Sequence, residues 1–227
     1  MTHLETELKK IQSDTEAMWQ LVISQLEKTY VAFTGFDKGL CREVIAREKR
    51  VNSMELALDR SCEHLFALHT PVAIDLRFVL ATLKINNNLE RLGDIAEGIC
   101  KFLLHEEKPY DQELISCTQL DVMFVKALAI VEDALLAFQD EDTKLARSIF
   151  QKDEDLNKIN AQVKQSVITY ISAHPENIGQ ALDILSIIRR LERVGDQSKN
   201  TAEEIIFYLE AKVLRHKENK KNRNPKK

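Results

Sequence analysis

The sequence repeats itself at about half its own length. The run LERLGD at Leu89–Asp94 returns as LERVGD at Leu191–Asp196, 102 residues later. Other matches keep nearly the same spacing: Pro71 with Pro175 at 104 residues, and Leu40, Arg42 and Asn52 with Leu145, Arg147 and Asn157 at 105. A repeat of this length exceeds a solenoid unit and can hold a core of its own. The chain is therefore predicted to be one structural unit present twice.

Each unit shows the apolar spacing of three long helices. Leu4, Leu8, Ile11, Met18, Val22 and Leu26 recur at steps of three, four or seven residues, which keeps them on one face of a helix. Only 6 Gly and 4 Pro interrupt the 227 residues, and proline cannot continue a helix, so Pro71 and Pro175 end the second helix of each unit. We expect helices at about 4–34, from the Gly35–Gly39 turn to His69, and at 72–105, then at 113–139, 142–174 and 177–215.

This pattern predicts an all-α fold of two tandem up-down-up three-helix bundles with a pseudo-two-fold internal repeat. The first bundle is expected over 1–107 and the second over 111–211, followed by a basic tail at 212–227. That tail carries eight Lys or Arg and one Glu, so the total charge of −4 leaves −11 on residues 1–211. The tail fits either a disordered, solubilising end or a segment attracted to an anionic membrane surface.

Composition excludes several classes of protein. The acidic body argues against nucleic-acid binding, and no apolar window is long enough to cross a membrane. The four cysteines lack CxxC spacing, which argues against a disulfide framework or a structural zinc site. Neither a P-loop nor a GxSxG or HExxH motif is present. We expect a soluble, cytoplasmic protein without enzymatic activity.

The repeated motif places two carboxylates on one face of each third helix. Glu90 with Asp94, and Glu192 with Asp196, are four residues apart, one turn along a helix. Gly93 and Gly195 lie inside these pairs, although glycine within a helix costs about 0.5–1 kcal/mol relative to alanine. A close approach by another backbone or by a bound group would explain both glycines.

The second helix of each unit supplies the residues that should face these pairs. In an antiparallel hairpin, residues equally far from the turn lie side by side, and counting from Pro71 and Pro175 gives Glu48, Asn52, Asp153 and Asn157. Each unit then offers three carboxylates and one carboxamide at one level. Oxygen donors of this kind suit Mg²⁺, Mn²⁺, Ca²⁺ or iron. The alternative is a solvated acidic face with ion pairs to Arg91 and Arg193, and we assign a structural role to the further pair Glu55 and Asp59.

On these residues the chain resembles the PhoU family of phosphate-specific transport accessory proteins. The resemblance rests on the doubled LERxGD motif, each copy after a proline-terminated helix, and covers nearly the whole chain. It implies a homodimer with metal centres on Glu90, Asp94, Glu192 and Asp196, and with Glu48, Asn52, Asp153 and Asn157 as partners across the bundle. It also implies repression of the phosphate-starvation response and modulation of phosphate uptake, through contacts with a sensor histidine kinase and with the transporter's ATP-binding subunit.

Two other functions compete with this regulator. A carboxylate-bridged di-iron oxidase needs a Glu-x-x-His pair in each half, and none of the six histidines has Glu three residues before it. A metal-free helical adaptor, with the acidic residues as plain surface, is compatible with the composition. Metal analysis separates the adaptor from the metal-binding regulator.

Overall fold

A computed structural model describes residues 2–214 and contains only helices and their connections within that range. The helices are α1 (His3–Gly35), α2 (Lys38–Leu68), α3 (Ala73–His105), α4 (Gln112–Thr118), α5 (Leu120–Gln139), α6 (Thr143–Ala173) and α7 (Ile178–Glu210), with a short 3₁₀ turn at Pro175–Asn177. The predicted all-α fold of two three-helix bundles is confirmed.

Equivalent caps start the second helix of each bundle. The Asp37 carboxylate accepts the backbone N–H of Leu40 at 2.9 Å, and the Asp142 carboxylate accepts that of Leu145 at 3.0 Å. Both caps satisfy N–H groups that have no partner within the helix. The repeat therefore extends to the residues that determine where helices begin.

The two bundles share one core. Helices α1, α2 and α3 pack together, as do α5, α6 and α7, while α3 packs against α7 and α1 against α5. Most of the buried apolar residues of both bundles form one cluster, and the Trp19 indole N–H donates across the junction to the Val131 carbonyl at 3.2 Å. Helices α3 and α7 run antiparallel, because Lys84 pairs with Glu204 at one end and Gln180 donates to Glu106 at the other.

Two helix boundaries differ from the sequence prediction. The helix expected at 113–139 is broken at Gln119, whose φ of 57° is left-handed, and α4 and α5 meet there at 56°. The break lets α4 pack against α6 and bury Leu114 and Thr118. The last helix ends at Glu210 instead of near residue 215, with Ala211 also left-handed at φ 55°.

The boundaries 1–107 and 111–211 stay a prediction, and residues 215–227 of the predicted basic tail lie outside the described residues. No single helix in 2–214 has the length and apolar composition to span a membrane; only the bent pair α4 and α5, taken together, meets those criteria.

Loss of the α6 cap should destabilise the fold measurably. Replacing Asp142→Ala leaves the N–H groups of Lys144 and Leu145 without their carboxylate acceptor, and we expect a loss of about 1 kcal/mol in the free energy of unfolding. Asp142→Asn keeps a capping oxygen and should stay near the wild type. Urea denaturation of the three proteins checks this, and equal stability of Asp142→Ala and wild type would contradict the role of the cap.

Candidate metal centres

The acidic layer of the first bundle is built around the buried carboxylate of Glu48. This α2 side chain is 5% exposed and lies against Gly93 of α3, where an added Cβ would come within 2.8 Å of Glu48 Oε2. Gln25 Nε2 donates to Oε2 at 3.3 Å, while Oε1 has no hydrogen-bond partner. The glycine of the repeated motif therefore makes room for a carboxylate from the neighbouring helix.

The second bundle repeats this arrangement with a shorter side chain. Asp153 of α6 is fully buried, and a Cβ on Gly195 would come within 2.7 Å of Asp153 Oδ1. Oδ1 has no hydrogen-bond partner. Oδ2 accepts from Asn157 Nδ2 at 3.4 Å and lies 3.5 Å from Lys199 Nζ. In this bundle too, the motif glycine makes room for a buried carboxylate from the neighbouring helix.

Burial and mutual repulsion disfavour ionisation of the first layer. Burial raises the pKa of Glu48 to about 7, against the hydrogen bond from Gln25 and with further upward contributions from Asp94, Glu97 and Glu90. Burial likewise raises the pKa of Glu90, and the charges of Asp94 and Glu55 add to this rise. A bound cation would remove this electrostatic cost.

The second layer has a cation of its own. Burial raises the pKa of Asp153, but Lys199 is the largest opposing influence. Burial also raises the pKa of Asp196, and Lys199 and Arg193 oppose that rise. The pKa of Glu192 is raised by burial, then by Asp196 and Asp153. Carboxylates and an ammonium therefore share this layer.

The structure brings most of the predicted residues together, with differences between the bundles. Glu48 faces Glu90 and Asp94, and Asp153 faces Glu192 and Asp196. Asn157 joins its layer, whereas Asn52 is exposed. The alternative ion pairs of Arg91 with Asp94 and of Arg193 with Asp196 do not form in the described part of the chain.

Sequence reasoning missed several neighbours of the layers. Gln25, Glu97 and Lys199 contact or face the buried carboxylates. Glu55, to which a structural role was assigned, raises the pKa of Glu90. Glu97 and Lys199 were detectable, since each follows its motif glutamate by seven residues, two turns along the same helix face. The sequence does not indicate a role for Gln25, because the equivalent position in α5 is not polar.

Both layers contain the oxygen donors that a hard cation prefers, but their side chains do not converge around a single point. Each has oxygen donors and one buried carboxylate oxygen without a partner, the kind of group that an oxygen-coordinated cation satisfies. Within residues 2–214, however, no three His, Cys, Asp or Glu side chains converge closely enough to hold a metal ion. Binding would require Glu90 and the exposed Asp94, or Glu192 and Asp196, to turn towards the buried carboxylate.

The first layer adjoins an open cleft of about 420 Å³ along α3 and α7. Asp94 and Glu97 line it from the acidic side, while Arg190 and Arg193 line it from α7. Arg190 lies over Gly98, where a Cβ would collide with its guanidinium, and it stacks on the Phe102 ring at 5.5 Å. The layer is therefore reachable from solvent.

Substitution of the motif glycines should affect the two bundles unequally. At Gly195 a Cβ meets both Asp153 Oδ1 and Leu156 Cδ1 within 2.8 Å, and the short aspartate has little freedom to move. We expect Gly195→Ala to lose about 1–3 kcal/mol in the free energy of unfolding, as for other overpacked sites. Gly93→Ala should lose less, because the longer Glu48 side chain can swing away.

The control for this comparison is Gly179→Ala, where an added Cβ meets no atom within 4 Å. It should be at least as stable as the wild type. Denaturation curves for the three variants check the ranking, and a Gly195→Ala protein as stable as Gly179→Ala would contradict the close packing.

The raised pKa of Glu48 predicts a pH dependence of stability. The folded protein holds this proton up to a pKa of about 7, against about 4.5 for the ordinary carboxyl group. More protons are then bound in the folded than in the unfolded state between these values, so the contribution of Glu48 to stability falls as pH rises from about 4.5 to about 7 and levels off above. In chelator-treated protein, Glu48→Gln should show a flatter decline than wild type in urea denaturation across pH 4.5–8. Parallel curves would contradict this assignment.

Comparison with known proteins identifies a family that matches this chain. The family model described as "PhoU domain" matches residues 15–103 and 120–205. The phosphate-specific transport system accessory protein PhoU of Edwardsiella tarda is 31% identical over 210 residues, covering 92% of this chain and 86% of that protein. Its Escherichia coli K12 counterpart is 30% identical over the same shares.

Solved structures agree over the same length. The crystal structure of PhoU from Pseudomonas aeruginosa superposes with a TM-score of 0.87 at 28% identity, covering 92% of this chain and all of that one. The phosphate transport system regulatory protein PhoU of Streptococcus pneumoniae gives a TM-score of 0.83 at 27% identity, over 93% of this chain and 99% of that one. With the family model matched in both halves, the chain belongs to the PhoU family.

Proposed function

We propose that this protein is a regulatory accessory of a phosphate-specific transport system, and that it represses the phosphate-starvation response while phosphate is plentiful. It acts in the cytoplasm as a homodimer and contacts the ATP-binding subunit of the transporter and a sensor histidine kinase. The observation that carries this proposal is the match of fold and repeat to PhoU structures over nine-tenths of the chain. The relatives are named as accessory and regulatory proteins, not as enzymes.

Metal binding is the second part of the proposal. Glu48, Glu90 and Asp94 are the proposed ligands in the first bundle, with Asn52 at the rim. Asp153, Glu192, Asp196 and Asn157 are their counterparts in the second. The bound ion, among iron, Mn²⁺, Mg²⁺ and Ca²⁺, would neutralise the clustered carboxylates and tie the second helix of a bundle to the third. The orphan oxygens of Glu48 and Asp153 support this part.

Exposed apolar side chains supply surface for protein contacts. Leu76 and Leu80 near the start of α3 are 37% and 38% exposed, and their counterparts 102 residues later, Ile178 and Leu182 of α7, are 50% and 52% exposed. Because α3 and α7 are antiparallel, these pairs lie towards opposite ends of the molecule. Such repeated exposure is compatible with a protein that acts by binding others. Membrane association would then be peripheral and mediated by these partners.

A metal-free adaptor is the second candidate function. The observation that favours it is that no three candidate ligands converge within residues 2–214. In that case the protein would bind the same partners. Protons instead of a metal ion would then neutralise the buried carboxylates, whose pKa values are raised.

A deletion strain tests the regulatory role. Removing the gene should raise phosphatase expression in phosphate-replete cells, because the repressor of the response is lost, and a plasmid copy should restore repression. Phosphatase activity of a chromosomal reporter is the measurement. A deletion without effect on the reporter would contradict the proposed regulation.

Complementation with variants separates the two candidates. The double variant Glu90→Ala, Asp94→Ala removes two proposed ligands, and Glu132→Ala, on an exposed face of α5, is the matched control. Failure of the double variant alone, at equal protein levels, supports the metal-binding regulator. Restoration by both supports the adaptor.

A further inference from the structure

The open cleft along α3 and α7 carries a local positive charge on a chain that is acidic over most of its length. Among its lining residues are four Lys or Arg and two Asp or Glu, namely Arg91, Lys101, Arg190 and Arg193 against Asp94 and Glu97. Glu97 is already paired with Lys101 at 2.5 Å. Three guanidinium groups therefore remain in the cleft against one carboxylate, that of Asp94.

These guanidinium groups have no carboxylate partner of their own. Over the described range 2–214, arginine forms ion pairs at Arg47 and Arg147, whereas Arg91, Arg190 and Arg193 form none. An arginine side chain presents five N–H donors in a planar fork that matches the oxygens of a carboxylate or a phosphate. The cleft therefore contains cationic donors that the protein itself does not use.

Arg190 is held in place without a ligand. Its guanidinium lies against Gly98 of α3, where an added Cβ would come within 2.4 Å of Nη1, and its Cζ lies 5.5 Å from the centre of the Phe102 ring. A cation–π contact engages the face of the guanidinium, so N–H groups at its edge stay available. A side chain that is already ordered loses less conformational freedom when it binds.

The fold does not impose this arrangement, because the equivalent place in the repeat lacks it. At a separation of 102 residues, Arg190 corresponds to Asn88 and Gly98 corresponds to Asn200. Asn88 is 7% exposed and donates to Thr201 Oγ1 at 3.2 Å. A hydrogen bond between neutral side chains thus occupies the place that corresponds to the arginine-lined cleft.

We propose that this cleft binds a phosphoryl oxyanion, with Arg190 and Arg193 as its main ligands and Gly98 as the residue that positions Arg190. The two arginines are three residues apart on α7 and lie on one face of it. A phosphoryl group offers three acceptor oxygens and close to two negative charges near neutral pH, which suits two guanidinium forks, whereas one fork satisfies a carboxylate.

The phosphoryl group belongs either to free inorganic phosphate or to a small phosphorylated metabolite, and a cleft of about 420 Å³ has room for both. The inference goes beyond the proposed function and needs neither the regulatory role nor the metal centres.

Calorimetric titration of the full-length, chelator-treated protein tests the site, with inorganic phosphate in one arm and ATP in the other. At about pH 7.5 and constant ionic strength, where a phosphoryl group is largely dianionic, saturable binding is expected. Arg190→Ala should weaken it about tenfold or more, because charge-assisted hydrogen bonds are lost. Arg189→Ala removes the same charge from an exposed neighbouring position outside the cleft and should bind as the wild type does.

Gly98→Ala tests the positioning of Arg190 without any change of charge. The added Cβ displaces the guanidinium, and we expect binding about as weak as in Arg190→Ala. In the Arg190→Ala background the same substitution should have no further effect, because Gly98 acts through Arg190 alone. Circular dichroism checks folding, and if Gly98→Ala is not folded, the comparison of Arg190→Ala with Arg189→Ala decides.

Each outcome has one meaning for the cleft. ATP binding no tighter than phosphate binding assigns free phosphate, and tighter ATP binding that is equally sensitive to Arg190→Ala assigns a phosphorylated metabolite. Absence of saturable binding in both arms, or equal binding by Arg190→Ala and Arg189→Ala, would overturn the inference. An equal loss from Gly98→Ala with and without Arg190 would overturn the role of Gly98. None of these results bears on the reporter strain, which tests the proposed regulation separately.

Discussion

The placement of a buried carboxylate against a helix glycine is the contact on which the rest of both bundles depends. Glu48 on Gly93, and Asp153 on Gly195, bring the second and third helices so close that a single Cβ would interfere. Each contact costs twice: glycine weakens the helix by about 0.5–1 kcal/mol, and a carboxylate loses water on burial. Both bundles carry these two costs, which favours a functional role for the buried carboxylate over a purely structural one.

What compensates the buried charge determines how each bundle can respond to its surroundings. In the second bundle, Lys199 provides a permanent counter-charge from within the chain. In the first, Gln25 provides one hydrogen bond, and the remaining cost must be met by a proton or by a cation from solution. The first layer is therefore coupled to pH and ion concentration near neutrality, consistent with a pKa of about 7 for Glu48.

The sequence predicted the features that repeat and missed those that do not. Helix order, the turns at Pro71 and Pro175, and the facing of Glu48 on Glu90 follow from periodicity and hairpin counting. The break at Gln119 was not predictable, because glutamine carries no turn signal and its left-handed backbone is stabilised by burial of α4 on α6. The partnership of Lys199 with Asp153 required comparing the two repeats for differences instead of matches, and that of Gln25 with Glu48 required the tertiary packing of α1.

The antiparallel α3–α7 pair explains why a difference between the layers can matter to the whole molecule. Its cross-helix contacts, Lys84 with Glu204, Asn88 with Thr201 and Arg190 over Gly98, keep one register. At the centre of this helix pair, the same register places Gly93 and Gly195 at the same level. Both buried carboxylates thus press on one shared helix pair, embedded in a core common to both bundles. A cation that draws Glu90 and Asp94 towards Glu48 would shift α3 where it packs against α7. Cation binding in the first bundle would therefore also change the packing of the second.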